Sequence, residues 1–144
     1  MAISYSSQEG VKVPGFKRRL MGSWLKSVAA MHGREIIDVA YQFCDNPGIL
    51  EFNKKFLGHN YYTDIITFDN SQSDEGIIAD ILISVDEVAL NGEEYGTGFR
   101  DELLRVMVHG ILHLSGFDDH TEEESLEMRK AEDEALALVP EGIF

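Results

Sequence analysis

The stretch FRDELLRVMVHGILHLSGFDDH, residues 99–120, combines a long apolar pattern with a sharp break. Apolar side chains recur three and four positions apart over residues 99–114, which is typical of an amphipathic helix. Gly116 follows at a position where glycine commonly ends a helix. The stretch therefore predicts a helix and then a turn, and this helix is the most apolar in the chain.

Two histidines lie inside this helix. His109 and His113 are four positions apart, so their imidazoles project from one face of it. A bare pair at this spacing also occurs on core faces, but polar rings in so apolar a helix are costly without partners. Asp118, Asp119 and His120 follow the turn and can return to the same point. Three protein ligands with a position left open for water are the pattern of a catalytic metal site, which the sequence therefore predicts.

The chain before this helix alternates between strand and helix patterns. Residues 3–6 favour a strand, and apolar residues between 16 and 31 recur at helical spacing. Residues 35–44 are rich in Ile, Val, Tyr and Phe, which favours a strand. Asp45 then offers a helix cap followed by a proline in the first turn, which predicts a short helix.

Residues 64–68 and 77–84 are two further strands, which can pair as a hairpin across a polar loop. Helical patterns cover residues 85–95 and 121–138. Strands early and helices late predict an α+β domain with one sheet of about four strands and about five helices. Residues 1–144 are expected to form this single domain, with the metal site at a helix and its following turn.

The cysteine count and the apolar runs of the sequence restrict the possible metal ligands and the expected cellular location. The single cysteine, Cys44, excludes an intramolecular disulfide and any zinc site built from several cysteines. The first residues lack a basic region followed by an apolar run, and Asp80 interrupts the longest apolar stretch. We therefore expect a cytoplasmic protein without a membrane partner.

The charge of the chain argues against broad nucleic-acid binding. Its formal net charge is −14, whereas nonspecific affinity for phosphates comes from Lys and Arg, so no DNA partner is expected. Five cations nevertheless cluster near the start: Lys12, Lys17, Arg18, Arg19 and Lys26. The helix containing residues 17–26 is the best candidate for an RNA-facing surface, and a solvated charged face explains it equally well.

The histidine spacing is similar to the zinc-protease pattern His-Glu-x-x-His-x-x-Gly-x-x-His. Where those proteases carry a glutamate base, this chain has Gly110, which cannot transfer a proton. A peptide substrate is therefore the weakest of the hydrolase hypotheses.

Three motifs in order resemble the YbeY family. His-Gly-Ile-Leu-His-Leu-Ser-Gly-Phe at residues 109–117 is similar to the family signature, and residues 63–68 are similar to its Thr-Asp-Val-Leu-Ser-Phe element. Residues 80–84 resemble its Gly-Asp-Ile-x-Ile-Ser strand, with Ala79 in place of the glycine. The resemblance implies a zinc-dependent endoribonuclease with one Zn²⁺ per chain. It further implies that the substrate is single-stranded RNA.

The same resemblance implies a role in 16S rRNA 3′-end maturation and ribosome quality control. The expected partners are the 16S rRNA precursor and the small ribosomal subunit. A small-subunit ribosomal protein and the GTPase Era are partners of the family whose relevance to this chain the sequence leaves open.

The motifs depart from the family pattern at two places. The third family ligand, a histidine, falls on Asp119, with His120 one step later, and either side chain can bind a metal. The ungapped register favours Asp119. The family also has an arginine that is thought to hold phosphate, and Leu57 replaces it here. A leucine cannot stabilise a phosphoryl transition state.

Three nearby side chains are candidate substitutes for that arginine: Lys54, Lys55 and His59. Lysine is a point charge and cannot hold a phosphate through two parallel hydrogen bonds as arginine does. Leu57 therefore bears on the prediction of RNA cleavage more than on the prediction of the metal site. Asp80 is predicted either to orient a ligand histidine from the second shell or to make a strand-end hydrogen bond with backbone. Besides the peptide hydrolase, a non-catalytic ribosome-assembly factor that keeps its metal is the remaining alternative.

Overall fold

One mixed sheet organises the protein. The structure, a computed structural model, describes residues 2–58 and 63–144. In chain order the strands are β1 (Ala2–Ser7), β2 (Glu35–Cys44), β3 (Ile65–Asp69) and β4 (Gly76–Ser84). They are arranged β1-β2-β4-β3, with β1, β2 and β4 parallel and β3 antiparallel to β4. The predicted four-stranded sheet and the hairpin of the last two strands are confirmed.

Within residues 2–58 and 63–144, five α-helices accompany the strands, as predicted. They are α1 (Arg18–Met31), α2 (Asn46–Phe52), α3 (Val85–Glu94), α4 (Phe99–Leu114) and α5 (Glu122–Leu136), and a π-helical turn (Asn53–Leu57) continues α2. Local chemistry sets the helix starts. The Asp45 carboxylate accepts the Gly48 N–H at 2.8 Å, and Thr121 and Glu124 form a capping box at α5.

The two faces of the sheet have different environments. Alternate residues of the inner strands point toward α1 and α4, and these are buried: Val39, Tyr41, Phe43, Ile77, Ile81 and Ile83. We call this side the helical face. The Tyr41 hydroxyl donates to the Met107 carbonyl of α4 at 2.8 Å inside the main core.

A glycine lets α4 lie close to the helical face. A Cβ atom added at Gly110 would lie 3.1 Å from the Cδ1 atoms of both Ile65 and Ile81. That spacing is tighter than ordinary van der Waals contact, so a larger residue would push the helix away from β3 and β4. Gly110 therefore serves packing, and it points at the sheet rather than away from it.

On the opposite side, which we call the open face, the described residues cover only one end. There α2 packs over a small cluster of Cys44, Ile49, Ile66 and Leu82. The rest is a groove of about 440 Å³. Of the helices in the described ranges, none is long and apolar enough to cross a membrane.

Candidate active site

A cleft of about 550 Å³ lies where α4 passes β3 and α5. The helix α5 returns beside α4 and is fixed there by the buried hydrogen bond from Trp24 Nε1 to the Ala135 carbonyl, 2.9 Å long. Seven histidine and carboxylate side chains line the cleft: Asp64, Glu102, His109, His113, Asp119, His120 and Glu132. The predicted ligands His109, His113 and Asp119, and the alternative His120, are thus brought to one cleft.

His109 is held by a carboxylate from α5. Its Nδ1 lies 2.7 Å from Oε2 of Glu132, whose side chain is only 7% exposed. Burial alone would raise the pKa of Glu132, but hydrogen bonds from His109 and Arg105 outweigh it, and the pKa is lowered. An ionised carboxylate only accepts, so Nδ1 carries the proton and Nε2 keeps its lone pair for a ligand.

The same contact acts on the titration of His109. Burial alone would lower the pKa of the imidazole, whereas the hydrogen bond and charge of Glu132 raise it. Asp119 and Asp64 add further attraction, and the pKa of His109 ends above its ordinary value. In the absence of a metal, the ring is therefore more easily protonated than a free histidine.

His113 presents the same ring nitrogen. Its Nδ1 lies 3.2 Å from the Phe117 carbonyl oxygen and 3.7 Å from Oδ1 of Asp118. A carbonyl can only accept, so Nδ1 donates and the lone pair again sits on Nε2. The sequence makes this contact possible because Gly116, with φ of 110°, turns the chain back immediately after α4.

A third donor approaches from the turn between α4 and α5. Oδ2 of Asp119 lies 3.8 Å from Nε2 of His109, and His120 lines the same cleft. As the side chains stand, no three His, Cys, Asp or Glu residues within the described ranges enclose an ion. The chemistry of the donors nevertheless fits zinc, since two imidazole nitrogens with a carboxylate or a third imidazole form its usual catalytic set.

Sequence reasoning missed three carboxylates of the cleft: Asp64, Glu102 and Glu132. No local signal marks Glu132, because 23 residues separate it from His109 and only the return of α5 joins them. Asp64 directly precedes β3, which begins at Ile65. Asp64 also lines the cleft, and its pKa is raised mainly by burial, against the attraction of His109.

The predicted role of Asp80 in orienting a ligand histidine is wrong. Within β4 it faces opposite to Ile81, so it lies on the open face, is exposed, and accepts the Asn70 side-chain amide at 3.2 Å. A carboxylate there cannot reach a histidine of α4 through the sheet. Glu132, and not Asp80, is the carboxylate that holds a histidine of α4.

The predicted phosphate-binding lysines lie elsewhere. Lys54 and Lys55 are exposed on the π-helical turn, neither lines the cleft, and the Lys55 ammonium sits 5.5 Å from the centre of the Phe56 ring. Leu57 is 43% exposed on the same turn. His59, the third candidate, lies outside the described residues. The same turn packs Phe56 against Phe68 at the groove of the open face, whereas the histidine pair lines the cleft.

Two arginines bring positive charge to the cleft instead. Arg105 forms ion pairs with Glu132 at 2.7 Å and with Asp133 at 2.6 Å, so two carboxylates already neutralise its charge. Arg129, on α5, is exposed at the cleft and forms no hydrogen bond or ion pair with the part of the chain that the structure describes. Its guanidinium is therefore the cation available to an incoming anion. No sequence motif marks it, because only the packing of α5 brings it there.

Comparisons with known proteins agree with one another. The family profile Endoribonuclease YbeY matches residues 4–139. A relative of that name from Bacteroides thetaiotaomicron is 46% identical over 138 residues, which cover 96% of this chain and 99% of the relative. Another from Phocaeicola vulgatus is 46% identical over 137 residues, covering 95% of this chain and 98% of the relative.

The fold has a counterpart among solved structures. The solution structure of a Thermotoga maritima protein matches with a TM-score of 0.68 at 25% identity, over 96% of this chain and 89% of that one. The likeness spans the sheet and the helices, so it is a likeness of the whole fold. It confirms the α+β class.

Together the fold and the cleft define an α+β protein with the composition of a hydrolase active site. It offers paired imidazoles, carboxylates and a guanidinium to one partly enclosed space. With the family profile and relatives that match it over nearly its full length, the chain belongs to the YbeY family of endoribonucleases. The family resemblance of the sequence motifs is thereby confirmed, and the protein is a member of a family of RNA hydrolases.

Proposed function

We propose that this chain is a zinc-dependent endoribonuclease that cuts single-stranded RNA in the cytoplasm during 16S rRNA 3′-end maturation and ribosome quality control. Its partners are then the rRNA precursor and the small ribosomal subunit, and residues 1–144 act as one metallohydrolase domain. One observation carries the proposal. His109 and His113 each keep a lone pair on Nε2 at a single cleft, beside Asp119.

In this proposal His109, His113 and Asp119 hold one Zn²⁺, with His120 as the alternative third ligand. When bound, the ion polarises a phosphoryl oxygen or lowers the pKa of a water molecule. Glu132 keeps the His109 ring in one orientation and one tautomer through the 2.7 Å hydrogen bond. Asp64, beside the ligands, is the carboxyl available to move a proton.

Arg129 supplies what Leu57 lacks. A guanidinium donates from several N–H groups in a plane, which matches the oxygens of a phosphodiester better than an ammonium does. Within the described ranges Arg129 forms no hydrogen bond or ion pair, and only its charge acts on Glu102, so those donors are left for substrate. The loss of a charged residue at position 57 is therefore compatible with RNA cleavage.

The assembly-factor alternative rests on the net charge of −14, which weakens attraction to RNA. The two functions separate in one assay. Zinc-loaded protein is given 16S 3′-precursor RNA either as a single strand or annealed to its complement. The proposal expects cleavage of the single strand, little of the duplex, and none after chelation until zinc is returned. Zinc-loaded protein that binds immature small subunits without cutting either RNA would establish the alternative.

The peptide hypothesis receives no support from position 110. A Cβ atom at position 110 would already lie 3.1 Å from the side chains of Ile65 and Ile81, so a glutamate base does not fit there. A peptide library that stays intact under conditions where RNA is cut is the expected outcome. Turnover of peptides with intact RNA would reverse this assignment.

Two single variants distinguish Asp119 from His120 as the third ligand. Asp119→Ala is expected to lose zinc, because its carboxylate already lies 3.8 Å from Nε2 of His109. His120→Ala is expected to keep about one zinc per chain, as a three-ligand site predicts. Elemental analysis after dialysis gives the answer, and the reverse pattern would assign the position to His120.

A further inference from the structure

The cations of this acidic chain are concentrated in one segment. Residues 10–34 hold six of its 12 lysines and arginines and none of its 26 aspartates and glutamates. This segment contains α1, on which Arg18, Arg19 and Lys26 lie along one side. A local positive potential therefore exists on a molecule whose remaining surface is strongly negative.

Helix stability does not explain these positions. Lys17 is the N-cap of α1, and Arg18 and Arg19 begin its first turn, where no acidic residue and no side-chain cap hydrogen bond occurs. The N-terminus of a helix carries a partial positive charge, so cations there repel it and anions stabilise it. Three adjacent cations at that end are unfavourable for folding unless an anion comes to them.

The same side of α1 borders a hollow of about 580 Å³ beside the edge strand. Arg18, Arg19 and Lys26 line one wall, and residues 2–5 of β1 line the other. We call these residues the basic surface. Four consecutive strand residues point to alternate sides, so the hollow follows the free edge of β1 rather than either face of the sheet.

One buried polar atom in this wall is left without a partner. The Tyr5 hydroxyl finds no hydrogen bond within the described ranges, although the residue is only 9% exposed. The Arg18 guanidinium carbon lies 5.7 Å from the centre of the Tyr5 ring. The hydroxyl lies 3.8 Å from where a Cβ atom of Gly22 would stand, so it is next to the turn of α1 that separates Arg18 and Arg19 from Lys26. A buried hydroxyl without a partner is uncommon in folded proteins and is satisfied when an acceptor oxygen reaches it.

We infer that the basic surface binds the phosphate backbone of single-stranded RNA outside the cleft. The inference rests on the proposed function, in which such RNA is the substrate. Charge complementarity selects this occupant, because guanidinium groups pair closely with phosphate oxygens. In the sheet β1 and β3 are opposite edges, about 14 Å apart at the usual strand spacing. A dinucleotide in the cleft therefore leaves the basic surface empty, whereas a long strand can occupy both.

Binding of a nuclease-resistant 2′-O-methyl RNA, followed by fluorescence anisotropy over a salt series, tests the inference without depending on cleavage. The variant is Arg18→Gln/Arg19→Gln. The control Arg100→Gln/Lys130→Gln removes the same charge from other exposed positions. The basic-surface variant is expected to bind a long strand about tenfold more weakly, with a salt slope smaller by about 1.4, as two lost phosphate contacts predict. The control should stay close to wild type.

Three further experiments distinguish a role in RNA binding from a structural role of the two arginines. Arg18→Lys/Arg19→Lys keeps the charge and should retain most of the affinity, which a merely structural role of the arginines would not predict. Cleavage of a long RNA by the Gln variant should show a raised KM with kcat unchanged, and a dinucleotide should be cut as by wild type. Circular dichroism and the Tm of each variant confirm that it is folded.

Equal RNA affinity of the basic-surface variant and wild type would overturn the inference, as would an acidic peptide displacing the RNA at equal charge concentration. The proposed function fails in a different way. If wild type binds the long strand through the basic surface and cuts no RNA in any form, the inference holds and the endoribonuclease proposal does not.

Discussion

The helical and open faces of the sheet differ in what they support. On the helical face, Tyr41 and Ile81 are fully buried beneath α4, and α4 carries the histidine pair at the cleft beside β3 and α5. On the open face, Asp80 is exposed and hydrogen-bonds only to the side chain of Asn70 among described residues. The candidate site is thus attached to the best-packed part of the molecule.

This difference has a physical reason. A metal site needs side chains held within a fraction of an ångström, and buried packing on both sides of a helix restricts its movement. The close approach at Gly110 and the hydrogen bond from Tyr41 to Met107 fix α4 against the sheet. On the open face, the residues that the structure describes form no comparable anchor beyond the small cluster under α2.

The strongest contrast is expected between two neighbours in β4. Ile81→Ala removes a fully buried side chain of the helical face and should lower the free energy of unfolding by about 4 kcal/mol. Leu82→Ala, in the small open-face cluster, should cost about 2 kcal/mol because that site can partly collapse. Denaturant unfolding measures both. Equal losses would remove the distinction between the faces.

A second pair compares the two carboxylates assigned to the histidines. Glu132→Gln should weaken zinc binding about 10–100-fold, because it removes the carboxylate that orients His109. Asp80→Asn, an equally conservative change on the open face, should leave zinc binding at the wild-type level. Competition with a chelating indicator gives both affinities. A loss in Asp80→Asn alone would restore the sequence-based role of that residue.

The smallest expected effect concerns the thiol of the open-face cluster. Burial, with the nearby Asp45 charge, raises the pKa of Cys44 to about 11. Only the thiolate reacts, and about one thousandth of such a thiol is ionised at pH 8, so a disulfide reagent should modify native protein very slowly. The denatured chain should react at once. Rapid labelling of native protein would show that α2 opens readily over this cluster.

Local patterns in the sequence predicted most of the fold. Strand β2 and helix α4 have the predicted bounds, and the hairpin of β3 and β4 has the expected pairing. His109 and His113 could be found because four-residue spacing and a following glycine are local signals. The family motifs could be found for the same reason, because each is a short run of neighbouring residues.

The sequence did not predict the features that depend on contacts between distant segments. Glu132 and Arg129 reach the cleft only because α5 returns along α4, and no spacing rule encodes that return. Of the two roles predicted for Asp80, orienting a ligand histidine also depends on which face of the sheet the residue occupies. The alternation of β4 sends Ile81 to the helices and Asp80 to solvent.

The central claim is that the histidine pair of α4 holds the metal that RNA cleavage requires. Zinc content and single-stranded RNA cleavage, measured on the same samples of wild type and His113→Ala, test it most directly. The account predicts about one zinc per chain in wild type, as for a three-ligand catalytic site, and the loss of both metal and cleavage in the variant. RNA cleavage that persists in His113→Ala without bound metal would contradict it.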